Sequence, residues 1–492
     1  MPASASASPA DPPAIDLGSP HFIGIGGAGM SGLAKILAIR GSKVAGSDAK
    51  DSTALLALRQ LGCRVHAGHA AENVGDATCV VVSSAIRPDN PELVAARERG
   101  IPVVHRADAL ARLMDDRRAV AVAGTHGKTT TTSMLAVGLM SLGLDPSFAI
   151  GADLNEAGSN AHHGDGDIFV AEADESDRSF LKYAPEVAVV LNVELDHHAN
   201  YASLDEVLDA FEAFARRIVP GGTLVLSADD AGAGTLRARL AASAPDLAVV
   251  TVGESDSADL RIAKVEQQGL ASTVTVRGRG GAEHVFGIGV PGRVNASNAV
   301  MALAVGLALG IEPAEMGAAL GKYQGVRRRF QLKGEAGGVR VVDSYAHHPT
   351  EIAADLETAR GAVGDGRVIA VFQPHLFSRT QQLGTEMGRA LAAADIALVM
   401  DIYAAREDPQ PGITSHIIAH SALDHGGLVR MEHSWSEVPN VVARIARPRD
   451  LVLTMGAGDV TLLGPEILES VKAFRTGEAT PAGTAAEDAG RD

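Results

Sequence analysis

The chain has 492 residues, a formal net charge of −17 and only 3% aromatic residues. That length allows about three domains with cores packed from Val, Leu, Ile and Ala, and the acidic balance excludes an extended nucleic-acid surface, which needs clustered positive charge to displace counterions. It does not exclude a small phosphorylated ligand, which responds to its immediate cradle because charges are screened over about 8 Å at physiological salt. Cys63 and Cys79 form neither a zinc-type spacing nor a disulfide framework, which fits a reducing, cytoplasmic setting. The start, MPASASASPADPPAIDLG, lacks the basic and apolar blocks of a signal peptide, and no apolar run approaches the roughly 20 residues of a membrane span. Residues 1–18 and 476–492 read as disordered tails.

Residues 19–117 open with a strand and then Gly24-Ile25-Gly26-Gly27-Ala28-Gly29-Met30-Ser31-Gly32, glycines in the G-x-G-x-x-G order, with a helical pattern through Ile39. A second strand, Lys43 to Gly46, ends at Ser47-Asp48. Glycines let the backbone approach a pyrophosphate, and an acid about twenty residues on reaches a ribose hydroxyl. Further strands end at Ser83-Ser84-Ala85-Ile86 and at His105-Arg106, on the same crevice of a Rossmann-like sheet. Taken alone, the domain reads as a dehydrogenase or as an empty α/β turn.

Residues 118–331 begin with the apolar strand Ala119–Ala123, which stops at Gly124-Thr125-His126-Gly127 before Lys128 and four threonines. Converging N–H groups, the positive end of a helix dipole and a lysine make a polyphosphate cradle, and Thr129 stands where it can ligate Mg2+. The predicted ligand is ATP. The first glycine lies three residues before the second, where the general phosphate-loop motif needs five. A second strand, Ile168 to Glu172, runs into Ala173-Asp174-Glu175-Ser176-Asp177, and a third, Val187 to Val193, ends at Glu194-Leu195-Asp196-His197-His198. Glu172 still belongs to its strand and suits Mg2+ beside the cradle; the acids after it also read as a solvated loop. His197 is a metal candidate, although Mg2+ prefers oxygen.

From Thr223 to Val290 short β-type runs alternate with glycine turns. Asn295 and Asn298 then precede an apolar helix from Ala299 to Leu309, as caps or as contacts to adenine's donor and acceptor edge. Arg327-Arg328-Arg329-Phe330 closes the domain, either as a solvated basic face or as a clamp on a phosphate or carboxylate. Residues 332–475 alternate strand and helix signals again, and four strand ends carry polar residues: Asp343–Pro349, Gln373–Arg379, Asp401–Glu407 and Gly456–Asp459. Successive strand ends of an open sheet line one crevice.

The loop GTHGKTTT resembles that of the Mur ligases, which build the peptidoglycan stem peptide, and of the folylpolyglutamate synthetases. GIGGAGMSG, GSD, SSAI, EADESD and the four later strand ends are similar to those of the Mur ligase that adds the first amino acid. The resemblance covers nearly the whole chain outside the tails. It implies an α/β protein of three domains: N-terminal Rossmann-like for the UDP-sugar, central P-loop-type ATPase with a mostly parallel sheet, and C-terminal Rossmann-like for the amino acid. It also implies an ATP-dependent amide ligase joining L-alanine to UDP-N-acetylmuramate through an acyl phosphate, with two Mg2+ ions.

On that resemblance the ATP set is Gly124, Thr125, His126, Gly127, Lys128, Thr129, Thr130, Asn295 and Asn298; Val294 replaces the histidine of the family's P-G-x-H-N-x-x-N. The UDP-sugar set is Gly26, Gly27, Gly29, Met30, Ser31, Asp48, Ser84 and Ala85. Thr129, Glu172 and His197 form the metal set, and Lys128, Glu172, His197 and Arg327 the catalytic set. Tyr345, His347 and Arg379 are assigned to the amino acid. The carbamylated lysine of several relatives is excluded, since no lysine lies between Tyr183 and Ala263. The closest alternative is the recycling ligase that attaches a preformed tripeptide to the same sugar; a nucleotide-dependent switch is a third class. The partners are small molecules, without nucleic acid or membrane, and the sequence leaves monomer or homodimer open.

Overall fold

A computed structural model describes residues 15–151, 154, 159–196, 200–405 and 407–477. His197 and most of both expected tails lie outside these residues. Of the expected N-terminal tail, Ile15 and Leu17 pack against the core, and the Thr78 hydroxyl donates to the Asp16 carbonyl at 2.9 Å. At the other end, Thr476 closes a helix that starts at Leu463.

The described chain forms two compact units: one up to Arg261 with Arg277–Ala282 and Val300–Ala319, the other of Ile262–Val276, Glu283–Ala299 and the residues from Leu320 on. The first unit holds two sheets. One comprises β1 (Pro20–Ile23), β2 (Ala45–Asp48), β3 (Arg64–Ala67), β4 (Cys79–Val82) and β5 (Val103–His105) in the order β3-β2-β1-β4-β5, all parallel. β1 is buried at all its residues, as expected for a central strand covered on both faces. A Cβ on Gly46 would stand 2.7 Å from the Phe22 carbonyl, so only glycine lets β2 lie this close to β1.

The other sheet comprises β6 (Arg118–Ala123), β7 (Ser147–Ala149), β8 (Ala161–His162), β9 (Ile168–Glu172), β10 (Val187–Val190), β11 (Thr223–Ser227) and β12 (Ala248–Gly253). Their order is β12-β11-β10-β6-β9-β7-β8, parallel except for the β7–β8 pair. β10 stops at Val190 rather than Val193. The glycine turns expected after Thr223 include a helix, Ala231–Ser243, whose first turn is capped by Asp230 accepting from Ala233 N at 2.7 Å. Two glycines masked its run of good helix formers. Gly232 is needed there, because a Cβ would meet the Val193 carbonyl at 2.0 Å.

Next come β13 (Leu260–Gln268), β14 (Ala271–Gly278) and β15 (Glu283–Ile288). The following helix begins at Arg293 rather than Ala299, so Asn295 and Asn298 lie inside it and do not cap it. Asn295 donates its amide to the Pro291 carbonyl at 2.7 Å.

The sheet of the second unit comprises β16 (Gln331–Ala336), β17 (Val339–Ser344), β18 (Val368–Phe372), β19 (Ile396–Val399), β20 (Val429–Met431) and β21 (Leu451–Met455), ordered β16-β17-β21-β18-β19-β20. Only β16 runs antiparallel. Side chains alternate between its faces: Val342, Ala370 and Leu453 enter one apolar cluster, and Val341, Val371 and Val452 the other. Helices cover both faces, and the polar loops leave at the carboxyl ends of the parallel strands. Among the described residues no helix is long and apolar enough to cross a membrane.

Candidate functional site

The loop after β6 is shaped by two glycines in backbone regions that other residues avoid, Gly124 at φ +142° and Gly127 at φ +87°. A Cβ on Gly124 would also stand 2.9 Å from Leu191 Cβ. The stretch after β10 braces the loop: Asn192 accepts from His126 N at 2.7 Å and donates to the His126 carbonyl at 3.1 Å. The Thr125 hydroxyl accepts from Glu194 N at 2.9 Å. His126 Nε2 lies 3.7 Å from Glu194 Oε2. The helix Lys128–Ser141 then starts with Thr129 and Thr130 buried.

Lys128 folds back over this loop. Its ammonium donates to the Gly124 carbonyl at 2.6 Å and pairs with Glu175 at 2.8 Å. Burial alone lowers the lysine pKa, but Glu175, with Asp174 and Glu172 behind it, raises it above its ordinary value. The Thr129 hydroxyl donates to both Glu172 oxygens at 3.0 and 3.1 Å, and Gly151 N donates to the same carboxylate at 2.7 Å. One hydroxyl and the carboxylates of Glu172, Asp174 and Glu175 beside a lysine form an oxygen-donor set that suits a hard cation such as Mg2+.

A cavity of about 310 Å³ separates these acids from the glycine turn after β1. Gly27, Gly29, Met30 and Arg106 line one side, and Gly151, Asn160, Glu172 and Asp174 the other. The turn is fixed from beneath: Gly24 N and Ile25 N donate to the Ser47 carbonyl at 2.8 and 2.9 Å, and Gly26 N donates to Asp48 at 2.8 Å. A Cβ on Gly26 would collide with Leu55 and Asp48. Ser47 is held in turn by the fully buried Glu92, which also contacts His21 at 3.2 Å and Asn73 at 2.7 Å. Burial raises the Glu92 pKa, but hydrogen bonds from His21, Ser47 and Asn73 outweigh it and bring it down to about 2.

Sequence reasoning missed three participants here. Arg106, seen only as the residue ending a strand, stands over Gly29 and pairs with Asp174 at 3.0 Å. Against burial, which raises it, Lys128, Ser176 and Arg106 hold the Asp174 carboxyl below its usual range. Asn192 carried a signal, an amide at the end of an apolar strand. Glu175 had none that tied it to Lys128. Ser84 is exposed and donates to Asp177 at 3.2 Å, and Ala85 lies beside it. Ser31 is half-buried in the first turn of the helix that follows the glycines.

Asn295, Asn298, Arg327, Tyr345, His347 and Arg379 belong to the second unit. Arg327 is exposed. Its neighbours Arg328 and Arg329 lie 4.7 and 5.2 Å from the Tyr345 ring, and Arg328 donates to the Gly456 and Gly458 carbonyls at 2.7 Å each. Tyr345, His347, His375 and Tyr403 form a continuous row of rings with centroid spacings of 5.3, 6.2 and 5.7 Å. Burial pushes the His347 imidazolium down; Glu351 opposes this, whereas Arg379 and Arg329 add to it. The result is a neutral imidazole beside a half-buried guanidinium, suited to hold a carboxylate and to accept a proton.

Asp355 fastens the turn beneath this row, accepting from the Ser344 hydroxyl, which accepts from Ala346 N at 3.0 Å. Desolvation raises the Asp355 pKa to about 6. The unfolded chain therefore loses this proton first, and the folded state is penalised as pH rises from about 4 to about 6. Since the residue keeps some accessible surface, screening limits the penalty to about 1–2 kcal/mol. Asp355→Asn should match the parent at pH 4 and exceed its stability by that amount above pH 6, as denaturant melts at the two pH values will read.

Three family models match along the chain: the Mur ligase family catalytic domain at residues 19–118, the Mur ligase middle domain at 122–306, and the Mur ligase glutamate ligase domain at 328–458. A UDP-N-acetylmuramate–L-alanine ligase of Streptomyces avermitilis is 65% identical over 463 residues, covering 94% of this chain and 99% of that protein. Its counterpart in Streptomyces coelicolor is 64% identical over 465 residues, with the same coverage. Among solved structures, a UDP-N-acetylmuramate-alanine ligase of Thermotoga maritima superposes with a TM-score of 0.76 at 28% identity, covering 93% of this chain and 99% of that one. A murein peptide ligase of Psychrobacter arcticus, 24% identical with a TM-score of 0.67 over 92% and 98% of the two chains, shares the fold. The three α/β domains, their mostly parallel sheets and the phosphate-type loop agree with these matches, and the chain belongs to the Mur ligase family.

Proposed function

We infer that this chain joins L-alanine to the lactyl carboxylate of UDP-N-acetylmuramate at the expense of ATP, giving UDP-N-acetylmuramoyl-L-alanine, ADP and phosphate for peptidoglycan synthesis. The observation that carries this reading is the 65% identity, over 94% of the chain, to a relative bearing that name. Residues 19–117 bind the UDP-sugar, 118–331 bind ATP and 332–475 the amino acid. The protein works in the cytoplasm, consistent with two buried, unpaired cysteines, as a monomer or homodimer.

The chemistry follows from charge placement. A lactyl carboxylate oxygen attacks the γ-phosphorus of ATP, the bond to the β-phosphate oxygen breaks, and ADP leaves behind an acyl phosphate. The alanine amine, after losing a proton, adds to the acyl carbon, and the tetrahedral intermediate expels inorganic phosphate. Lys128 neutralises the transferring phosphoryl group, while the helix start from Gly127 to Thr130 offers its N–H groups to the phosphates and Asn192 holds the preceding turn through His126 N. Asn295 and Asn298 take the adenine, and Arg327 adds a positive charge at the γ-phosphate. Two Mg2+ ions, held by Thr129, Glu172 and His197, supply Lewis-acid charge neutralisation when bound; the oxygen-donor set beside Lys128 fits such a hard ion.

The glycine turn with Gly26, Gly27, Gly29, Met30 and Ser31 takes the diphosphate, Asp48 the ribose, and Ser84 and Ala85 the sugar. Arg379 holds the alanine carboxylate, with Tyr345 and His347 beside it; the neutral state of His347 supports a role in accepting the amine proton. The test is phosphate release with ATP, Mg2+ and UDP-N-acetylmuramate across a panel of amino acids and the tripeptide. Release dependent on L-alanine is expected. Release with the tripeptide alone assigns the recycling reaction instead, and release without sugar or amino acid assigns a nucleotide switch.

A further inference from the structure

At the carboxyl edge of the second unit's sheet, three imidazoles gather outside the groups assigned above. β19 and β20 are parallel neighbours in the register Val399↔Met431, so two residues further on Asp401 stands opposite His433. Asp401 Oδ1 and His433 Nδ1 are 2.7 Å apart. The helix His416–Asp424 connects these strands, and its amino end returns to the same edge. His416 and His420, one helical turn apart, share a face, with ring centroids separated by 6.1 Å. The His433 ring stacks on His416 at 5.9 Å with an interplanar angle of 26°.

The geometry points to a binding site for one first-row transition ion of the Zn2+, Ni2+ and Cu2+ class, ligated by His416, His420 and His433 and oriented by Asp401. An ionised carboxylate only accepts, so the proton of a neutral His433 sits on Nδ1 and its lone pair is on Nε2. That is the carboxylate–histidine arrangement that fixes a metal-ligating imidazole. Metal–nitrogen bonds of about 2.0–2.1 Å bring two ligated rings to roughly 5 Å between centroids. The His416–His420 and His416–His433 pairs would each close by about 1 Å between centroids, and all three side chains are exposed and can rotate toward one ion. Imidazoles select this class over Mg2+, which favours oxygen.

The ion would also tie down a loop that serves the neighbouring crevice. Tyr403, two residues from Asp401, exchanges backbone hydrogen bonds with Pro374 and Leu376 at 2.8 and 2.9 Å, and Glu407 accepts from Ser378 N at 2.9 Å, next to Arg379.

Metal-stripped full-length protein should be titrated with zinc sulfate by calorimetry in millimolar Mg2+, and with Co2+ followed in the visible spectrum. We expect one saturable zinc ion per chain, a Co2+ spectrum of nitrogen ligation, and slower amide exchange at residues 401–405 on loading. His416→Ala/His420→Ala/His433→Ala should abolish that ion, and Asp401→Asn should weaken it about 10–100-fold. Circular dichroism of the metal-free variants checks that both fold. Unchanged zinc binding by the triple variant, or the absence of saturable binding by the parent, overturns the site.

Discussion

Lys128→Ala lowers kcat by about 10²–10³-fold, the usual effect of losing one preorganised charge at a developing oxyanion. The substitution also has a structural consequence that the fold makes specific. Lys128 is the cation paired with Glu175 at 2.8 Å, and the glutamate side chain is only 2% exposed. Removing one member of a buried pair strands the other charge, at a cost of about 3–5 kcal/mol. The single variant should therefore melt well below the parent. Lys128→Ala/Glu175→Gln removes the stranded carboxylate and should recover most of that stability with no recovery of turnover. Denaturant melts and kcat for the three proteins separate the two roles, and near-normal ligation by either variant refutes the catalytic one.

Glu172→Gln is the second large effect. The carboxylate accepts from Thr129 and from Gly151 N, and the amide keeps its size and one accepting oxygen, so the loop should hold its shape. What is lost is the negative charge that would face a divalent ion. We expect kcat to fall about 10²-fold and half-saturation to shift to higher Mg2+, with the melting temperature of the metal-free protein nearly unchanged. An unaltered Mg2+ dependence would remove Glu172 from the metal set.

The parts of this molecule legible in the sequence are those whose chemistry is local. Glycines at Gly24 to Gly29 and at Gly124 and Gly127 announce turns that only glycine makes, and β9 runs as an apolar strand into Glu172 with the bounds expected. Parallel strands such as β18 and β21, buried on both faces, are continuous apolar runs, and Gln373 and Gly456, which follow them, mark where they end. The helix Ala231–Ser243 was hidden by Gly232, whose presence answers to the Val193 carbonyl and not to helix formation. The asparagines read as possible caps lie within a helix that starts earlier, at Arg293. Arg106 over Gly29 and Glu175 against Lys128 depend on segments far apart in the chain, and local patterning holds no record of such pairings.

Activation of the sugar's carboxylate by phosphoryl transfer before the amide forms can be followed by running the ligation with UDP-N-acetylmuramate labelled with 18O in both lactyl carboxylate oxygens and analysing the released phosphate by mass spectrometry. An acyl phosphate requires one labelled oxygen in each phosphate formed, with the other retained in the amide. Unlabelled phosphate released in step with amide formation would contradict it.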